Sequence, residues 1–266
     1  MLNRSNSNRG QFLGLFTVAL VSIVGISVLQ LPQLNHLNNR SETLSEAELN
    51  RQVESEQVQL NLLHKAPKFG FENLIADWTF LSFLQYFGDT SARNQIGYDL
   101  SPNFFEVILD SDPYFRDAYF FLSGSTTLYA GRPDRTTEIM NEHVSQLSPR
   151  LPDRAYIVWR YKGTDELLFL GDSQAAQQSF ETAAEWASLY SDPESQAAAQ
   201  VSQQTAKFLA DNPQSKSAQI AAWVMVLGNA FDEETQRYAI SQIEALGGNV
   251  SVDEQGRIQI QQPEGD

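Results

Sequence analysis

Four cap-and-proline pairs constrain this chain more than any other feature. Ser101-Pro102, Asp112-Pro113, Asp192-Pro193 and Asn212-Pro213 each set a hydrogen-bonding side chain just before a proline. Such a side chain satisfies an orphan N–H at a helix start, and proline loses nothing at the first helical position. Gly88, Gly131, Gly171 and Gly228 each follow about three turns of apolar sequence, where glycine ends helices. Apolar residues recur at helical spacing after Pro67, and apart from the tail no stretch alternates like a strand for long. These signals predict antiparallel helix pairs over residues 68–247 and an all-α fold.

At 266 residues, 42% hydrophobic and 19% charged, the chain has enough apolar material for a real core. Its net charge is −15, and no acid precedes residue 40. Such a surface repels phosphate backbones, which argues against nucleic acid as a partner. No cysteine is present, so disulfides, zinc thiolates and a cysteine nucleophile are excluded together.

Residues 1–11 are short, polar and mildly basic. Phe12 to Leu31 then runs through 20 residues without a charge, about 30 Å as a helix. Two readings compete, an uncleaved anchor and a cleaved signal peptide. A signal peptide has a shorter apolar region and an A-x-A-like site, whereas the best small-residue pair here is Gly25 and Ser27. The expectation is therefore a transmembrane helix over 12–31. Arg4 and Arg9 precede it and Arg40 follows, which places the N-terminus in the cytoplasm and the rest on the far side.

Residues 32–67 are rich in Asn, Gln, Ser and Glu. Ser45 with Glu48 fits a capping box, and Leu49, Val53, Leu60 and Leu63 form a thin helical stripe. A helical stalk and a partly disordered spacer are both compatible with this. Next comes FENLIADWTFLSFLQYFGD, residues 71–89, with Trp78, Phe80, Phe83, Tyr86 and Phe87 within ten positions. Its apolar run of about 14 residues is short for a second membrane span. A helix apolar nearly all round is expected to be covered on several sides.

Gly171, Ala176, Phe180 and Ala183 have the spacing of the turn and second helix of a tetratricopeptide repeat. AYIVWRYKGTDELLFLG, with Trp159 and Gly163, resembles the first helix of that repeat. The segment from Asp112 to Pro149, with Tyr119, Leu122 and Gly131, resembles another, although His143 stands where a small residue is usual. Residues 71–113, with Trp78 and Gly88, resemble a more divergent one. The resemblance covers about residues 71–190 and implies an α-solenoid of stacked pairs sharing a continuous core. The glycine intervals of 43, 40 and 57 residues exceed the family's period of about 34, which implies an irregular superhelix.

The C-terminal segment, 248–266, differs. Val250 and Val252 stand opposite Ile258 and Ile260 around a DEQG turn, a hairpin signal. A lone hairpin is marginal in water, so it is expected to pack on the last helices or on a partner.

The sequence holds no phosphate loop and no nucleophile elbow. His36, His64 and His143 are far apart in sequence. Asp110 and Asp112 precede Pro113 and lack the glycine of a calcium loop, and so read as a cap and its neighbour. No enzyme activity and no cofactor or metal is expected. One basic cluster stands out: Arg150, Arg154, Arg160 and Lys162 surround Tyr156, Trp159 and Tyr161. In tetratricopeptide proteins the first helices line a groove, so this resemblance implies a seat for an acidic or extended peptide. The competing reading pairs these cations with the chain's own carboxylates. The expected function is a membrane-anchored scaffold or assembly factor that binds other proteins. The alternatives are a constitutive accessory subunit of a membrane complex and, further off, a cell-envelope enzyme.

Overall fold

The computed structural model describes residues 45–213, 215–230, 233–252 and 258–261. The helices in chain order are α1 (Glu46–Lys65), α2 (Glu72–Gly88), α3 (Thr90–Ile96), α4 (Ser101–Ser111), α5 (Arg116–Leu122), α6 (Pro133–Val144), α7 (Tyr156–Asp165), α8 (Ser173–Ser188), α9 (Pro193–Asp211), α10 (Lys216–Asn229) and α11 (Glu233–Ala245). Helix α5 continues as a π-helical segment over Ser123–Tyr129, and α7 likewise over Glu166–Leu170. Strands β1 (Asn249–Val252) and β2 (Ile258–Gln261) follow. The all-α class stands, closed by a small hairpin.

The chain divides into two compact units. The smaller, in its described part, comprises residues 45–52 and 89–96. Here Ser45 donates from its N–H and its hydroxyl to the Glu48 carboxylate at 3.0 and 2.7 Å, the expected capping box. These two bonds hold the Glu48 carboxyl below its ordinary range. In α3 the Asp89 carboxylate accepts from the Ala92 N–H at 3.1 Å.

The larger unit holds residues 53–88 and 97 onward. Its first core forms around Phe83, which is fully buried and meets Phe105, Phe87 and Phe104 at ring distances of 4.6, 5.5 and 5.8 Å. Phe80 adds edge contacts to Phe115 and Phe121. Burying one such ring contributes about 1.5–3 kcal/mol, so this aromatic lattice ties α2 to α4 and α5. Ala176 and Phe180 of α8 build a second core with Leu167 and α9's Ala206 and Leu209. Ile220 and Trp223 of α10 pack on Ala239 and Ile243 of α11, and Val250 and Ile260 of the hairpin lie against them. The register pairs Val250 with Ile260 and Val252 with Ile258, as the alternation predicts. The DEQG turn lies outside the described residues.

Three of the four cap-and-proline expectations need correction. Asp192 caps α9 through the Ser195 N–H at 3.0 Å, with proline in the first turn. Pro102 also sits in the first turn of α4, but the Ser101 hydroxyl is buried and caps nothing. Asp112 instead accepts from the Tyr114 N–H, and α5 begins only at Arg116. Helix α10 begins after Ser215, whose hydroxyl accepts from the Ala218 N–H, three residues beyond Asn212. After Asp112 and Asn212 the chain does not turn helical at the next residue, so proline alone does not set where a helix starts.

The membrane expectation also needs correction. No helix among the described residues is long and apolar enough to cross a membrane. The longest, α1, carries Glu46, Glu48, Arg51, Glu54 and Glu56. The aromatic α2 has 17 residues, includes Glu72 and Asp77, and spends one face on the core. The expected span at 12–31 lies outside the described residues. The single-pass topology and the localisation drawn from it are set aside, and a membrane plays no part in the function proposed below.

Candidate functional site

The basic cluster is spread over the turn before α7 and over α7 itself, and most of it is internally paired. Arg150 donates to the Leu189 carbonyl at 3.0 Å and lies 5.8 Å from the Tyr190 ring centroid. Arg154 sits in a left-handed turn with φ 56° and donates to Glu194 at 2.5 Å and Asp192 at 3.3 Å. The Glu194 hydrogen bond, then its charge, raises the Arg154 pKa. Its backbone N–H donates to the Tyr190 hydroxyl at 2.8 Å. Tyr156 is buried, with its hydroxyl 3.0 Å from the Ser195 hydroxyl. Lys162 is buried and pairs with Glu166 one turn on, and Ser179 donates to the other Glu166 oxygen at 2.6 Å. Trp159 is half-buried against Trp186, with its ring N–H enclosed and unpartnered. Arg160 differs from the other cations: among the described residues nothing pairs with its guanidinium, and burial lowers its pKa.

Inside the larger unit lies a set of polar groups that sequence spacing does not reveal. Asp110 accepts from two histidines, His64 at 3.0 Å and His143 at 2.9 Å. His143 is buried, and its other ring nitrogen lies 2.8 Å from the Ile139 carbonyl. Both ring nitrogens therefore face oxygen atoms. This pairing ties α1 and α6 to α4. The aspartate expected to neighbour a cap is thus a clasp, and only the tertiary fold brings His64 and His143 together. Asp165 is wholly buried at the junction of α7 and its π-helical end. Burial pushes its carboxyl up to about 7, against the opposing pull of the Ser123 and Thr127 hydroxyls. No group of His, Asp and Glu among the described residues is arranged to hold a metal.

The outward side of α2 is the largest surface anomaly. Phe71, Leu74, Trp78 and Leu81 are 61, 63, 62 and 54% exposed. Their spacing of three, four and three residues puts all four on one helix face, opposite Ala76, Thr79, Phe83 and Tyr86, which are buried. Phe69 precedes them, exposed and at φ 51°, with Gly70 at φ 86°. At 150–250 Å² for each large aromatic, the stripe presents on the order of 500 Å² of apolar surface. Patches of that size on a folded chain mark interaction sites. Asp77 is exposed on the same side. The expectation that α2 is covered on several sides is corrected: among the described residues one side is covered, and the other is open.

No family model matches this chain, and neither a curated protein nor a solved structure matches it.

Proposed function

We propose that this protein is a protein–protein interaction scaffold, built of tetratricopeptide-like helix pairs, that receives a helix of another protein on the outer face of α2. The observation that carries this is the open stripe Phe71, Leu74, Trp78 and Leu81. A stripe at this spacing fits the apolar face of an amphipathic helix. Asp77, exposed beside it, selects a partner with Lys or Arg at the matching position. A second copy is the poorer occupant, because two chains of net charge −15 repel each other.

The repeat plan has support in two consecutive pairs. The starts of α5 and α7 are 40 residues apart, as are those of α6 and α8. Gly131 and Gly171, also 40 apart, both take left-handed φ, and each follows a π-helical ending. Two helix pairs of one design, sharing cores with their neighbours, are what a repeat scaffold requires.

The test is a photoreactive side chain at position 78, with position 159 as comparison, in the full chain inside cells. The expected adduct from position 78 maps to a helical segment with an apolar stripe and a basic residue, and Asp77→Lys weakens its capture at least tenfold. Adducts confined to position 159, or to a second copy of this chain, overturn the proposal.

A further inference from the structure

A small cavity lies among α7, α8, α9 and α10. Arg160, Thr164, Phe180, Ser202, Ala222 and Met225 are among its walls. It leaves about 10 Å³ for the centre of a water-sized body, room for about one atom.

Its polar lining offers two uncommitted donors, beside two threonine hydroxyls whose protons are spent. Arg116, Arg132, Arg135, Arg150 and Arg154 each hold a carboxylate or a carbonyl. The Arg160 Nε is enclosed and has no partner. The Ser202 hydroxyl, on a side chain 1% exposed, is enclosed and unpartnered as well. The protons of the other two hydroxyls are already used: Thr164 donates to the Arg160 carbonyl at 2.9 Å, and Thr205 to the Val201 carbonyl at 3.0 Å. No Asp or Glu lines the cavity. Arginine does not surrender its proton in a protein, so its charge persists in a partly desolvated place. Leaving a buried charge uncompensated is costly, as is leaving a buried donor without an acceptor.

We infer that the cavity is a binding site for a single monatomic anion of about chloride's size, held by the Arg160 guanidinium and the Ser202 hydroxyl. Water would satisfy both donors but not the charge. Sulfate, phosphate and nitrate are too large for a one-atom space. Because the walls come from four helices, occupancy ties them together, and binding to the folded state alone raises its stability with anion concentration. This site is independent of helix docking at α2.

Two measurements on the full chain test it. Thermal unfolding is followed in sodium chloride against sodium methanesulfonate at equal ionic strength, for wild type, Arg160→Met and Ser202→Ala. Chloride is expected to raise the wild-type Tm by several degrees across a hundredfold concentration range. Ser202→Ala should reduce that shift, and Arg160→Met should abolish it. Crystals soaked in bromide should show one anomalous peak between Arg160 and Ser202. Equal Tm values in the two salts overturn the inference, as does a cavity holding only water after the soak. Acetate stabilising as strongly as chloride also overturns it, since a carboxylate does not fit a monatomic site. If Arg160→Met fails to fold, Ser202→Ala and the bromide peak still decide.

Discussion

Asp165→Asn should stabilise this protein, and only above a defined pH. Asp165 is wholly buried, and its carboxyl titrates at about 7 in the folded chain against an ordinary 3.8. Desolvation is the main cause, and the charge of neighbouring Glu166 adds to it. Between those two values the native state holds a proton that the unfolded chain has released. Stability therefore falls as pH rises through the window, by about 1.4 kcal/mol per pH unit, and levels off above about 7. The whole window amounts to about 4 kcal/mol, a large share of a typical folding free energy. Asparagine has nearly the same shape and no proton to lose. The assay is urea unfolding of both proteins from about pH 5.5 to 8.5, clear of the pI near 4.5. The advantage of D165N should widen by about 2 kcal/mol between pH 5.5 and 7 and then stay constant. Other titrating groups cancel in the difference. A difference independent of pH would refute the reasoning.

Two further substitutions probe the packing and the basic cluster. At Gly163 an added Cβ would lie 3.1 Å from the Phe180 ring and 3.2 Å from the Ser179 Cβ, so Gly163→Ala should destabilise by about 1 kcal/mol net in urea unfolding, overpacking exceeding the gain in helix propensity. Arg154→Glu sets a like charge against Asp192 and Glu194 and should lower Tm by a few degrees while leaving adduct formation at position 78 intact.

Much of the backbone plan is legible in the residues, because it rests on local chemistry. Ser45 with Glu48, Asp192 with Pro193, and the Val250–Ile260 register each depend on neighbours a few positions away or on strict alternation. Ala176, Phe180 and Ala183 lie buried, as apolar residues at helical spacing should. What is not legible is set by neighbours far along the chain. The clasp at Asp110 joins residues 64, 110 and 143, and no helical spacing links them. The fate of the basic cluster turns on Asp192, Glu194 and Leu189, which a hairpin returns to α7 some forty residues later. The apolar face of α2 has the same limit. A helix that is hydrophobic all round does not say which side has a neighbour, so Phe83 and Trp78 look alike until the fold distinguishes them. The π-helical endings leave no composition mark either, since SGSTTLY and ELLFL share only leucine.

The distribution of polarity in this molecule runs against stability in two places. Inside, Lys162, Glu166, Asp165 and His143 occupy positions where apolar side chains of equal volume would be neutral or favourable. Outside, Phe71, Leu74, Trp78 and Leu81 meet water where polar residues would cost nothing. A helical core needs neither feature to fold, and departures from binary patterning without a local gain belong to function or to specificity. The interior groups hydrogen-bond across helix boundaries, Lys162 and Glu166 to Ser179, and His143 to Asp110. They therefore fix which helices meet and in what register. The exterior stripe has no such internal partner among the described residues. A variant with Leu74 and Leu81 both changed to Gln should keep the wild-type urea midpoint within error, because no core contact is lost. A midpoint lowered by more than about 1 kcal/mol equivalent would mean that the stripe is already covered within the chain, and the docking proposal would fall with it.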